Sequence, residues 1–222
     1  MQGVSTTLSE INALKDLNGG TLQIGVSPVG GTAPAVKLLR EFQTAYPNIK
    51  ISLVEDSTEE LVRRLLEDKL DLAFVMSSPL LPGSLKGMAL PRQELVAVCA
   101  RRHPLRRQNT VSLEELAGEP LLMPLRDSYT EELYAALSET GREVGIAFAA
   151  GQVQTLKSLA GAGCGVAFLP EVLVEDDDAL ATVRLEPPFY LEPMLACRRT
   201  RQMSRAAEAF WSLAEKGVNE HA

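Results

Sequence analysis

Hydrophobic positions along the chain switch repeatedly between two periods. "TLQIGV" (21–26) places Leu22, Ile24 and Val26 at every second position, the period of a strand. A loop containing glycine and proline runs from Ser27 to Thr32. Ala35, Leu39, Phe42 and Tyr46 then fall on one face of a helix. Tyr46-Pro47-Asn48 stops it, because the residue before a proline is pushed out of the helical region. "KISLVE" (50–55) predicts a second strand. Ser57 and Glu60 form the S-x-x-E signature of a capping box, opening a helix that carries Leu61, Val62, Leu65 and Leu66 inward. "LAFV" (72–75) predicts a third strand. Apolar strands alternating with helices imply a parallel sheet covered on both faces.

The alternation then starts again. "ELVAVCA" (94–100) predicts a strand, and Ser112 and Glu115 a capping box opening a short helix. "PLLMP" (120–124) predicts a strand, followed by a helix capped by Ser128 with Glu131 and ended at Gly141. "GIAFAA" (145–150), a helix from Gln154 to Ala162 and "GVAFL" (165–169) complete a second α/β unit. "LEPPFYLEP" (185–193) holds three prolines and predicts an extended crossing segment. "MLACR" (194–198) predicts a last strand. A final helix then buries Ala206, Phe210 and Leu213, with Gly217 after it. With no long linker between the units, the chain predicts two lobes joined by crossings at Pro91-Arg92-Gln93 and around Glu186-Pro187-Pro188. In open α/β sheets ligands sit outside the carboxyl ends of strands, so two facing lobes make a cleft for a small molecule.

Length and composition set limits without changing that reading. The 222 residues allow one large or two small domains, and 45% hydrophobic with 23% charged residues is ordinary for a globular protein. No apolar run approaches the roughly 20 residues that cross a bilayer, and "MQGVSTTLSEINALKDLNGG" lacks a signal-peptide pattern, so a cytoplasmic location and no membrane partner are expected. A net charge of −7 makes this chain by itself a poor nucleic-acid binder, and Arg101-Arg102-His103-Pro104-Leu105-Arg106-Arg107 is expected to be a solvated turn. Cys99, Cys164 and Cys197 are odd in number and widely spaced, signalling neither a disulfide framework nor a zinc site. Cys99 and Cys197 lie in apolar runs as small buried hydrophobes would, whereas Cys164 lies among glycines. His103 and His221 are far in sequence from any cysteine. No metal and no cofactor is expected.

"SLAGAGCGVAFLP" (158–170) places Gly161, Gly163 and Gly165 at the end of a helical stretch. A phosphate-binding loop needs a lysine after its last glycine, and here Val166 follows. A dinucleotide fingerprint opens a helix, whereas these glycines close one. The prediction is therefore structural: a helix end turning tightly into the strand Val166 to Leu169.

Four stretches together resemble the effector-binding domain of LysR-type transcriptional regulators, over about Gly20 to Leu213. They are "GGTLQIGVSP", "FQTAYPNIKISLVEDSTEELVRRLLEDKLDLAF", "ELVAVCARRHPL" followed by "VSLEELAGEPLL", and "LAGAGCGVAFLP". The resemblance implies a two-lobed α/β fold like periplasmic binding proteins, each lobe a mostly parallel sheet flanked by helices, with an inducer in the cleft. It implies a DNA-binding winged helix-turn-helix joined through a long linker helix. "LSEINALKDL" (8–17), with Leu8, Ile11, Leu14 (or Lys15) and Leu17 at helical spacing, reads as the tail of that linker, and Met1 as the start of an excised piece. The expected division is 1–19 linker remnant, 20–91 plus 189–222 lobe I, and 92–188 lobe II. A homodimer is implied for this piece, with a dimer or a tetramer for the whole regulator and DNA contacted only through the winged domain. Two other readings share this fold: a solute-binding protein, which needs a secretion signal, and an enzyme such as a dehydratase. The second needs a general base that Ser, Thr, Gln and one Arg do not supply.

The resemblance also implies that four helix starts face the cleft, each with free N–H groups that suit organic acids. The first is Ser27 to Thr32. Val29 stands where many relatives place a hydroxyl, leaving Ser27, Gly30, Thr32 or backbone amides to grip a ligand; the alternative is an ordinary strand-to-helix loop. The second is Ser57-Thr58, where Ser57 suits an N-cap and Thr58 matches a position whose hydroxyl often meets the inducer. The third is Arg126 to Thr130. There Arg126 pairs with an anionic ligand or with Asp127 or Glu131, Asp127 or Ser128 caps, and Tyr129 covers the ligand. The fourth is Gln152 to Thr155, with contact implied at Val153, Gln154 and Thr155, or simple capping. Met76 stands where some relatives hold a basic residue, which argues for a mono-acid or a partly apolar inducer.

Overall fold

Leu22 and Ile24 of β1 (Thr21–Val26) are fully buried, as their period requires. The structure, a computed structural model, describes residues 19–31, 33–77, 81–125, 128–200 and 202–219. α1 (Ala33–Ala45), β2 (Lys50–Glu55), α2 (Thr58–Leu66) and β3 (Leu72–Met76) follow as the pattern predicts. β4 (Leu85–Ala89), which the pattern does not predict, comes next. With β11 (Pro193–Arg198) these strands form a first sheet in the order β2-β1-β3-β11-β4. β3 divides its side chains between two cores. Leu72 and Phe74 pack with α1 and with Phe210 and Trp211 of α6 (Arg205–Asn219), while Ala73 and Val75 pack with Leu61, Val62 and Leu65 of α2. Each such buried aliphatic side chain contributes about 1.5–3 kcal/mol. α6 runs on through Gly217, where an added methyl would rest 3.6 Å from Leu38 of α1, and Leu213 is only partly buried.

The second sheet runs β6-β10-β5-β9-β7-β8. It comprises β5 (Gln93–Ala100), β6 (Thr110–Ser112), β7 (Leu121–Pro124), β8 (Ile146–Ala150), β9 (Val166–Pro170) and β10 (Leu180–Leu191). Leu95, Ala97 and Cys99 of β5 face Leu116 of α3 (Leu113–Ala117) and Leu133 of α4 (Ser128–Ser138). Val96 and Val98 face Leu156 and Ala160 of α5 (Val153–Ala162). Both sheets are mixed. Parallel pairs β1–β2, β1–β3, β7–β8 and β7–β9 carry the α/β repeat, and antiparallel pairs arise where β5, β10 and β11 carry the chain between sheets.

The crossings are displaced from one expectation. The chain leaves the first sheet after Ala89 and enters the second at Gln93. It returns at Glu192, and not at Glu186-Pro187-Pro188. Phe189, Tyr190 and Leu191 still pair with Leu95, Glu94 and Gln93, and the prolines cause a register shift between Arg184 and Phe189 instead. A proline has no N–H for the ladder, so it is accommodated in a bulge without ending the strand.

Local chemistry follows the sequence closely elsewhere. Ser112 and Glu115 make both halves of their capping box. At Ser57 only half forms: its hydroxyl accepts from the Glu60 N–H at 3.3 Å, while the Glu60 carboxylate turns to Arg63 and Arg64. The basic turn is exposed at Arg101, Arg102, Arg106 and Arg107. Cys99 and Cys197 are buried, and burial pushes both thiols up, Cys99 to about 11, which disfavours the thiolate form at both. Residues 8–17, Asp127, Thr32, Arg126 and His221 lie outside the described residues, as does the Ser128 side chain.

The glycines at 161–165 close α5 structurally. Gly163 sits at φ 81°, its N–H bonds the Ala160 carbonyl at 2.9 Å, and the Cys164 N–H bonds the Leu159 carbonyl at 3.0 Å. That pair of bonds is the Schellman closure of a helix. Gly165 then passes so close to β7 that a methyl would lie 2.3 Å from the Pro120 carbonyl oxygen.

Candidate functional site: a divided cleft between two sheets

Strand ends of the first sheet face strand ends of the second, and two cavities lie between them. The first, of about 570 Å³, is lined by Pro28, Glu55, Asp56, Ser57 and Glu60 from the first lobe and Leu125, Gly151 and Gln152 from the second. The second, of about 520 Å³, is lined by Met76 and Ser77 after β3, Tyr129 and Glu132 of α4, and Phe189 to Glu192 at the crossing. A smaller apolar groove, of about 370 Å³, runs between α1 and α6, lined by Leu38, Leu90, Pro91 and Ala214; it lies within the first lobe and away from these strand ends.

Val29 and Met76 explain why there are two cavities. Both belong to the first lobe, yet both are buried in the second lobe's core with Leu95, Tyr129 and Leu191. Met76 continues the face of Leu72 and Phe74, but lies at the strand end and inserts across the junction. Pro28 lines one cavity, its neighbour Val29 packs in the wall, and Met76 and Tyr129 line the other. An apolar partition therefore crosses the cleft.

The backbone beside the partition is fixed by two hydroxyls. Ser27 is fully buried; its Oγ accepts from the Gly30 N–H at 3.0 Å and its own N–H bonds the Phe74 carbonyl at 2.9 Å. A methyl on Gly30 would meet that Oγ at 2.6 Å and the Phe74 oxygen at 2.8 Å, so the loop lies against β3. Thr58 is buried, and its Oγ1 accepts from the Met76 N–H at 3.3 Å. Ser27 and Thr58 thus hold the loop and the end of β3 in place, while the Thr58 hydroxyl keeps a proton to donate.

Of the residues the sequence singles out, the structure brings Ser57, Met76 and Tyr129 to cavity walls and puts Ser27, Val29, Gly30 and Thr58 immediately behind them. Thr32, Arg126 and the side chain of Ser128 are not described. Val153 turns toward the core shared with Leu156 and Ala160, and Gln154 and Thr155 are exposed; none of these three lines either cavity. Gln152 takes their place, as the N-cap of α5 with no side-chain capping bond. Sequence reasoning missed Glu55, Asp56, Glu60 and Glu132 as wall residues and Phe189 to Glu192 as part of the site. The misplaced crossing hid the second group.

The electrostatics of the walls are negative. Asp56 and Glu60 share Arg64, at 3.0 and 2.8 Å, and hydrogen bonds from Arg63 and then Arg64 hold the Glu60 carboxyl down at about 2. Glu192 is paired with Arg92 at 2.7 Å. Among the described residues, neither cavity is lined by a lysine or arginine.

Two α/β lobes, crossed by the chain and enclosing cavities at facing strand ends, define a small-molecule-binding module of the two-lobed, periplasmic-binding-protein-like fold. The family described as "LysR substrate binding domain" matches residues 15–218, and the chain belongs to it. Relatives include the "HTH-type transcriptional regulator TtuA" of Agrobacterium vitis, 30% identical over 75% of this chain and 56% of that protein. Another is a "Hydrogen peroxide-inducible genes activator" of Haemophilus influenzae, 25% identical over 85% of this chain and 65% of that one. The chain thus spans somewhat over half the length of these relatives. Solved structures share the fold. The effector-binding domain of QuiR in complex with shikimate has a TM-score of 0.83 at 19% identity, covering 91% of this chain and 99% of that one. The Synechocystis CcmR regulatory domain in complex with 2-PG has a TM-score of 0.80 at 20% identity, covering 90% and 97%.

Proposed function

We propose that this chain is the inducer-sensing domain of a LysR-type DNA-binding transcriptional regulator, acting in the cytoplasm and without enzymatic activity. The observation that carries the reading is the divided cleft, whose walls come from both lobes at facing strand ends. Lobe I comprises the strands from Thr21 to Ala89 with β11 and α6, and lobe II the strands from Gln93 to Leu191. A small organic molecule bound there touches both lobes and changes the angle between them. It shifts that equilibrium only by its differential affinity for the two angles, typically about 1–3 kcal/mol. Of the two inducer types expected, a mono-acid or a partly apolar molecule, the partition of Val29, Met76 and Tyr129 favours the second. Effector-bound relatives of the same fold support the assignment of the cleft.

The same reading includes a homodimer. Leu53 on the outer strand β2 and Val36 on α1 are more than half exposed, and Ile146 and Phe148 on the outer strand β8 nearly so. A two-fold, antiparallel pairing sets β2 and α1 of one protomer against β8 and α4 of its partner, covering both outer strands.

A thermal-shift screen of small organic acids, amines, amino acids and aromatics tests the sensing role. A ligand at a hundred times its Kd stabilises by about 2.7 kcal/mol, or roughly 5–10 °C for a chain this long. A specific binder should also change the radius of gyration in small-angle scattering. Stabilisation by no compound, or binders that leave the lobe angle and the cleft residues untouched, would remove the sensing assignment.

A further inference from the structure

The geometry points to an organic cation, a primary ammonium on a ring-bearing apolar body, as the ligand of the crossing-side cavity. This deepens the proposed sensing role and rests on it. The cavity of about 520 Å³ suits a single small molecule. Its apolar wall is formed by Met76, Tyr129, Phe189 and Tyr190, the last half exposed. Aromatic faces and a thioether accommodate a ring, and aromatic faces also attract a cation.

The polar wall is acidic. Glu132 and Glu192 line the cavity, and Arg92 already occupies Glu192 at 2.7 Å. Glu132 has no ion-pair partner among the described residues. The first cavity, across the Val29–Met76 partition, adds Glu55, Asp56 and Glu60, of which Asp56 and Glu60 share Arg64. Among the described lining residues an anion meets a surplus of carboxylates, whereas an ammonium near Glu132 completes an ion pair with its ring on Tyr190 and Phe189. Because the lining comes from β3, α4 and the crossing at once, occupancy is read directly as a change at the lobe junction.

Three probes of nearly equal shape separate charge from shape: 2-phenylethylamine, 2-phenylethanol and phenylacetate. Affinity is measured by calorimetry at 10 mM and 150 mM salt, because screening lengths at these strengths differ about threefold or more. The amine should bind at least about tenfold more tightly than the acid at low salt, with a smaller gap at high salt. Glu132→Gln should weaken the amine several-fold and leave the alcohol unchanged, and Tyr190→Ala should weaken amine and alcohol together. Tighter binding of the acid, or an amine affinity indifferent to Glu132→Gln, overturns the assignment. Binding of none of the three also overturns it. The sensing role is judged separately, by whether any member of the wider screen stabilises the protein and moves the lobes.

Discussion

Gly161, Gly163 and Gly165 lie within five positions, and the structure gives alanine a different consequence at each. At Gly161 a methyl would rest 3.5 Å from Leu180, an ordinary contact, inside a helix where alanine is favoured by about 1 kcal/mol. Gly161→Ala should therefore raise Tm by about 2–4 °C, at roughly 2–4 °C per kcal/mol for a chain this long. Gly163 is held at φ 81° by the closure bonds of α5, and forcing a side chain there costs about 1–2 kcal/mol. Gly163→Ala should lower Tm by about 2–8 °C, and Gly163→Asn by less, because asparagine tolerates that conformation. At Gly165 the methyl would meet the Pro120 oxygen at 2.3 Å, the same oxygen that accepts the Val166 N–H at 2.8 Å. That overlap cannot be relieved by a side-chain rotation, and it adds to a φ of 156° that favours glycine. Separating β9 from β7 should cost about 3 kcal/mol or more, the upper end of overpacking penalties, and lower Tm by at least about 6 °C. Calorimetry at one pH and one protein concentration reads all four variants. A Gly165→Ala protein melting within 2 °C of the parent, or Gly161→Ala as the most damaging change, would refute the reasoning.

Thr58→Val keeps shape but leaves the Met76 N–H without its acceptor, so it should cost about 1–3 kcal/mol in urea unfolding, whereas Thr58→Ser should retain most of the stability. The Glu60 carboxyl is held near 2 against an ordinary 4.5, so its contribution is fully present above about pH 4.5 and lost as pH falls toward 2. Glu60→Gln should flatten that acid limb, and 1 M salt should partly do the same in the parent because the group is only partly buried. Phe148→Asp places a charge on the outer strand β8, where the ring is 47% exposed. It should shift sedimentation toward the monomer while leaving the monomer's Tm within about 2 °C, since surface changes usually fall within 0.5 kcal/mol; an unchanged dimer would exclude β8 from the interface.

The strands and helices that could be read from sequence are those buried on a defined face. Both faces of β3, β5 and β9 are buried, and α1 and α2 bury one stripe, so period alone locates them. β4 escapes because only Leu85 of its five residues is fully buried, and β6 because three residues carry no period. β10 escapes because Pro187 and Pro188 argue against a strand, whereas the fold absorbs them in a bulge. The site was less legible for a different reason. Ser57 and Glu60 have an unambiguous local meaning as a helix start, and that meaning conceals their second position on a cavity wall. Val29 and Met76 look like ordinary apolar residues at strand ends. Only the facing of two sheets turns them into a partition, because each is buried by residues more than fifty positions away, such as Tyr129 and Leu191. Local pattern specifies an element whenever burial is imposed by its own sheet or helix. The wall of this cleft is imposed by the opposite lobe, through the packing of Val29 and Met76 on Tyr129 and Leu191, so no pattern confined to one stretch of chain carries it.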